Sequence, residues 1–375
     1  MAEVQGTCEA RFDGVRRALS SSLDSGADVG ASVAVYLHGE PVVDIWGGFV
    51  DEARSAPWER DTLTNVWSTT KTMTFLCALM LADRGELDFY APVARYWPEF
   101  AAAGKGAVEV RHLMSHSAGL PGWTEPLEPE DLADWERCTT TLAAQEPWWE
   151  PGTASGYHAL TQGYLIGEVV RRITGVSIGT WFATEVTGPL GADFFIGTPE
   201  PEDKRVSLVI PPTLDLESLN PSGLARRVFT NPLLDATYPQ HSWWRRAEIP
   251  AANGHGNARS VADIQSIIAG RGEARGVRLL SVAGCEPVFD QQADGIDLVL
   301  GMPSRIGMGY GLSSQFVPIG PRACFWGGFG GSVVVMDQDV GLTVCYVMNR
   351  MEAGLQGDMR GANIILAAAA SLGEA

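Results

Sequence analysis

A serine and a lysine stand three residues apart in the stretch Trp67-Ser-Thr-Thr-Lys-Thr-Met73. At helical pitch, positions i and i+3 share a face, so Ser68 and Lys71 touch if this stretch opens a helix. A hydroxyl beside an amine that burial has stripped of its proton is a nucleophile with its base. A helix N-terminus adds free N–H groups and the positive end of a dipole, both favouring negative charge on an attacked carbonyl oxygen. The bland alternative is a capping serine and a solvated lysine. Lysine usage weighs against it: Lys71, Lys105 and Lys204 are the only lysines among 27 basic residues. In a chain that otherwise uses arginine, a lysine here has a reason, because a lysine can lose its proton and an arginine cannot.

Such a site needs a second proton-transfer group, and Tyr157 is the candidate. It stands in Pro151-Gly-Thr-Ala-Ser-Gly-Tyr-His158, where the Pro-Gly and Ser-Gly pairs mark a turn. Beside a cationic lysine its phenol is expected to fall below the ordinary range and serve as a base. The alternative is a packing aromatic with a wet hydroxyl. The third element is Trp326-Gly-Gly-Phe-Gly-Gly331. Glycines entering a strand let a ligand approach the backbone closely. The N–H of Phe329 could then pair with that of Ser68 to hold an oxyanion; the alternative is a bulge or a crowded sheet edge.

Other motifs fall short. His112 and His116 are four apart, but Leu113 occupies the place of the zincin glutamate, so no metal is expected. Ser115-His-Ser-Ala-Gly119 lacks the leading glycine of a nucleophile elbow. Neither glycine-rich phosphate-binding pattern occurs.

These residues need elements to hold them. Val4, Phe12, Val15 and Leu19 predict an amphipathic helix over 2–22. Strand-like runs 31–37 and 42–46 flank the turn His38-Gly-Glu-Pro41 and form a hairpin. Helices are expected over 68–84, with Gly85 at its end, over 109–117, and over 158–174, ending at Gly175. Residues 324–326, 332–336 and 342–348 read as strands, and 357–372 as an Ala-rich helix. Strands at both ends and helices between them predict one sheet built from both termini. Residues 1–66 and 255–375 then form an alpha/beta sheet domain, and 67–254 a mainly helical insertion. Within it, the Pro- and Trp-rich segment 199–250 reads as long loops, a lid over the pocket or a surface loop packing its own aromatics.

Bulk properties narrow the function. The formal net charge of -18 repels phosphate backbones and anionic bilayers, so no nucleic acid and no membrane partner is expected. The six cysteines form no C-x-x-C, and Cys77 and Cys345 sit in apolar runs, as reduced buried thiols do. No signal-peptide pattern opens the chain, and no apolar run nears the ~20 residues that span a bilayer. A cytoplasmic protein is expected; oligomeric state leaves no mark in the sequence.

The order of the three signals, S-x-x-K, a tyrosine and a late glycine-bearing strand, resembles the serine beta-lactamase and penicillin-binding-protein superfamily. The chain resembles more closely the class C beta-lactamase-like esterases called family VIII carboxylesterases, the Arthrobacter-type esterases among them. Supporting stretches are Val42-Val-Asp-Ile-Trp-Gly-Gly48, Arg111-His-Leu-Met-Ser-His-Ser-Ala-Gly-Leu120, Pro151-Gly-Thr153 and Gly254-His-Gly-Asn-Ala-Arg-Ser260. The resemblance implies an α+β fold: an antiparallel sheet flanked by helices plus an inserted, mainly helical domain. It implies that Ser68 is acylated, that Lys71 and Tyr157 move the proton, and that the N–H groups of Ser68 and Phe329 form the oxyanion hole. Trp326, Gly327 and Gly328 would bind substrate, and no cofactor is called for.

Two departures bear on the substrate. Ala159 stands where the lactamase Y-x-N motif has asparagine, and Trp326-Gly-Gly replaces K-T-G. Trp326 brings an apolar face and one N–H but no charge for a substrate carboxylate. The expected reaction is hydrolysis of short-chain carboxylic esters. Alternatives are acyl transfer or amidase chemistry on the same scaffold, or a binding protein acylated by beta-lactams.

Overall fold

The computed structural model describes residues 3–213 and 223–373. Its strands are β1 (Val4–Cys8), β2 (Gly30–Leu37), β3 (Glu40–Gly48), β4 (Thr64–Asn65), β5 (His255–Gly256), β6 (Glu273–Ala274), β7 (Val277–Arg278), β8 (Ala293–Ile296), β9 (Pro303–Ile306), β10 (Gly311–Leu312), β11 (Ala323–Gly327), β12 (Val333–Asp337) and β13 (Leu342–Met348). Nine of them form one antiparallel sheet in the order β1-β3-β2-β13-β12-β11-β10-β9-β8. The two ends of the chain meet at its centre, where β2 pairs with β13, Val33 opposite Tyr346.

Both central strands are buried along almost their whole length, which suits their valine-rich, unalternating sequences. Helix α1 (Asp13–Ser25) and the C-terminal helix Met359–Ala370 pack together on one face. The helix Ala258–Ala269 covers the other. Tyr346 and Tyr36, on opposite faces by strand parity, mark the two sides: one bonds to Asp28 beside the C-terminal helix, the other to Asp263 on the helix Ala258–Ala269.

The sequence pattern misplaces one element. Residues 2–22 are not a single helix: Val4–Cys8 is a strand on β3, and the helix starts only at Asp13. Gly6, at φ +95°, sits where a Cβ would lie 2.1 Å from the Asp44 carbonyl oxygen, so the backbone there is a sheet contact. The helical spacing belongs to Phe12, Val15, Leu19 and Leu23, all buried.

Between the sheet strands lie α2 (Lys71–Asp83), α3 (Val110–Met114), α4 (Trp135–Ala144) and α5 (Thr161–Thr174). Helix α2 is buried from Lys71 through Leu81 and packs on α5, which also takes α3 and α4. Gly85 and Gly175 hold left-handed conformations just past α2 and at the end of α5, as helix-ending glycines do. The 199–250 segment contains short helices at Glu200–Arg205, Gly223–Phe229 and Ser242–Arg246; its residues 214–222 lie outside the described ones.

Candidate active site

Ser68 lies on a tight 3-10 turn, Trp67–Thr70, that runs directly into α2. Trp67 holds φ +47°, a conformation that a bulky residue adopts only under constraint. The constraint is visible: its ring packs on Trp244 at 5.5 Å and on Phe329 at 5.4 Å. Trp244 is fully buried and donates its N–H to Asn65 Oδ1. Trp244 also packs on Tyr238 at 5.5 Å and Trp243 at 5.8 Å, so this part of the 199–250 segment packs its own aromatics and carries one of them into the core beneath the serine turn.

The structure brings Ser68, Lys71 and Tyr157 together. Lys71 Nζ is 3.0 Å from Ser68 Oγ, and Tyr157 Oη is 2.5 Å from the same oxygen. Nζ also donates to the carbonyl oxygens of Ala159 at 2.7 Å and Ala251 at 2.9 Å. Lys71 is fully buried and has no carboxylate partner among the described residues, and burial holds its ammonium well below the ordinary lysine range. A neutral amine has two N–H groups and one lone pair. The two carbonyls take the N–H groups, which leaves the lone pair for the Ser68 hydroxyl proton.

The expectation for Tyr157 is reversed. Its phenol is pushed up, not down, first by burial and further by the Asp297 carboxylate, against the opposing hydrogen bond of Ser68. The cause is burial of the phenol itself, and the lysine beside it, desolvated too, supplies no cation to offset it. Tyr157 is therefore held as a neutral phenol whose O–H donates to Ser68 Oγ.

The glycine-rich strand end adjoins this cluster. Ser332 Oγ donates to the Val66 carbonyl at 2.8 Å and lies 2.9 Å from Thr69 Oγ1, stitching the loop after β11 to the serine turn. A Cβ on Gly328 would meet Val66 O and Ser332 Oγ at 2.3 Å and lie 3.3 Å from Ser68 N. Only glycine lets the backbone come this close. The Gly328 carbonyl, in the same peptide unit as the Phe329 N–H, accepts from Gly331 N at 3.2 Å and Gly357 N at 3.4 Å. Gly327 sits equally tightly against Gln356 and Gly357.

Trp326 lies across Tyr157, stacked on His116 at 5.4 Å and edge-on to Phe75. Its N–H makes no hydrogen bond among the described residues, although it lies near enough to ease charge onto the phenol. His116 and His158 have structural bonds. His116 Nδ1 accepts from His158 N at 3.0 Å, and His158 Nε2 accepts from Leu120 N at 3.1 Å. Burial pulls His158 down to about 3, so it stays neutral. His112 bonds locally to Glu109 N, so it does not join His116 in a site.

Three groups bonded to the cluster escape the sequence reading. The carbonyls of Ala159 and Ala251 carry no signal in side-chain identity. Asp297 Oδ1 accepts from Tyr157 N, 140 residues away in the chain; Asp297 sits in Gly295-Ile-Asp-Leu298, which matches no motif.

A buried Ser–Lys–Tyr cluster under a glycine-rich sheet strand defines a class of serine acyl-transfer proteins. The beta-lactamase family profile matches residues 15–369, and the chain belongs to that family. It is similar to a crystal structure of a family VIII carboxylesterase, at 41% identity and TM-score 0.93, covering 98% of this chain and all of that one. It is 36% identical to the esterase/beta-lactamase LipL of Mycobacterium tuberculosis, over 93% of this chain and 83% of LipL. The structure of EstA from Arthrobacter nitroguajacolicus Rue61a is 29% identical, with TM-score 0.88 and both chains fully covered. The resemblance to family VIII carboxylesterases and the α+β fold stated from sequence are thus borne out. Among the described residues, no helix is long and apolar enough to cross a membrane.

Proposed function

We propose that this chain is a serine carboxylesterase acting on short-chain, uncharged esters through a Ser68 acyl-enzyme. The observation that supports it is one oxygen, Ser68 Oγ, within hydrogen-bond reach of both Lys71 Nζ and Tyr157 Oη. Lys71 takes the serine proton as Oγ attacks the ester carbonyl. The N–H groups of Ser68 and Phe329 receive the developing oxyanion. Tyr157 gives its proton to the departing alkoxide and regains one from the Lys71 ammonium, so the pair returns to its starting state. Water then repeats the sequence on the acyl-enzyme. The reaction needs no metal and no cofactor.

The substrate class follows from Trp326, Gly327 and Gly328. A buried indole over Tyr157 favours an apolar group and offers no cation to a carboxylate. Ser68 is only 7% exposed, which favours small acyl groups. We read the chain as two lobes, 1–66 with 255–375 and 67–254, with the nucleophile at their junction. We also place the protein in the cytoplasm, where its cysteines, free among the described residues, stay reduced.

The test compares p-nitrophenyl acetate, p-nitrophenyl octanoate and a chromogenic cephalosporin, with wild type and Ser68→Ala. Turnover should favour the acetate, vanish in the variant and far exceed cephalosporin hydrolysis. Full turnover by Ser68→Ala would refute the mechanism. Fast cephalosporin hydrolysis would refute the role given to Trp326. The name of LipL keeps a lactamase reading in view, and the same assay decides it.

A further inference from the structure

Tyr157 stands on no helix or strand. A side chain that must meet Ser68 Oγ at 2.5 Å therefore depends on whatever holds its backbone. The neighbouring bonds are specific. Gly156 N donates to His116 O at 2.9 Å, and His158 N to His116 Nδ1 at 3.0 Å. Tyr157 N itself donates to Asp297 Oδ1 at 3.0 Å.

Asp297 follows β8 directly, in the connection to β9 at the edge of the sheet. Its residue is 2% exposed. The same Oδ1 accepts from Val299 N at 2.9 Å and Leu300 N at 2.8 Å, which fix the carboxylate as an acceptor platform. Its backbone N–H donates to Met302 O at 2.9 Å, and Leu298 N donates to Ser155 O at 2.8 Å. The β8–β9 connection thus grips the chain on both sides of Gly156. A buried carboxylate engaging three N–H groups is costly to place and holds geometry firmly. Its charge also opposes a phenolate at Tyr157, which keeps the phenol a proton donor.

We propose that Asp297 is a positioning residue for the reaction, holding the Tyr157 hydroxyl in line with Ser68 by accepting the Tyr157 backbone N–H. This rests on the reading of Tyr157 as the proton-transfer group. Asp297 touches no reacting atom, so its effect passes through Tyr157.

The test is a double-mutant cycle on kcat and KM for an alkyl acetate, with circular dichroism and melting to establish folding. Asp297→Ala should lower kcat about 10²-fold, the scale of an ångström-level misplacement, with KM little changed. Asp297→Asn keeps a carbonyl oxygen toward the three N–H groups and should restore kcat to within about 5-fold of wild type. In a Tyr157→Phe background, Asp297→Ala should cost less than about 3-fold, because the hydroxyl it positions is gone. If Asp297→Ala does not fold, Asp297→Glu displaces the acceptor by one methylene while keeping the charge, and the cycle is read in that variant. Equal losses in both backgrounds, with Tyr157→Phe itself defective, would overturn the role of Asp297 alone. A Tyr157→Phe enzyme with wild-type kcat would instead overturn the reading of Tyr157, and with it this coupling.

Discussion

Tyr157→Phe separates chemistry from packing at one atom. The phenol is buried, and its hydroxyl bonds to Ser68 Oγ, which keeps its second partner Lys71. Removing it leaves ring packing intact and opens almost no cavity. The folding cost is therefore one hydrogen bond, about 1 kcal/mol, or a shift in Tm of about 1–3 °C in a chain of this size. The rate should fall far more. Loss of a positioned proton donor costs about 10²–10⁴-fold, some 3–5 kcal/mol of barrier. The loss should also depend on the leaving group. An alkoxide cannot depart unprotonated, whereas p-nitrophenolate can. Measured as kcat/KM, which reports acylation, the variant should lose the full factor on ethyl acetate and about 10-fold or less on p-nitrophenyl acetate. Equal losses on the two esters would refute Tyr157 as the acid for the leaving group.

Other outcomes follow from the same geometry. For the wild type, kcat/KM should fall as pH drops and the Lys71 amine takes a proton. It should then stay level into the ordinary phenol range, about 10, because the phenol of Tyr157 is raised; a basic limb near neutrality would count against this. Burial leaves Lys71 neutral in the fold, while the unfolded chain binds a proton there below about 10.4. Its share of stability thus grows as pH rises toward that value, and denaturation of Lys71→Met should show less of that rise. Gly328→Ala forces a methyl to 2.3 Å from Val66 O and should cut kcat at least 10²-fold, read with p-nitrophenyl acetate. Arg360→Met strands the buried Asp28 without its guanidinium at 2.9 Å. It should cost about 3–5 kcal/mol by urea unfolding at neutral pH and less in acid, where Asp28 is protonated.

The sequence was most legible where local chemistry and element coincide. Ser68 and Lys71 are one helical turn apart, so their contact follows from pitch, and the strands 31–37 and 342–348 announce themselves by β-branched runs. Val4 was misread because a spacing of eight residues to Phe12 fits a helix as well as a strand followed by one. The protonation of Tyr157 departs from the expectation because it depends on burial of the phenol and of Lys71 from all sides, which no linear pattern expresses. Asp297 and the carbonyl of Ala251 meet the site only through the fold, and Trp244 reads as a loop aromatic until Trp67 is seen lying against it.

The sheet assembled from both chain ends gives the protein a clock. On the ribosome the nucleophile, its lysine and its tyrosine emerge early. The loop that would cradle the oxyanion is joined to the serine turn across 263 residues of chain, and β13, the strand that closes the centre of the sheet, emerges later still. A nascent or truncated polypeptide carries the reactive serine without the means to stabilise what that serine makes. Esterolysis should then report completed synthesis.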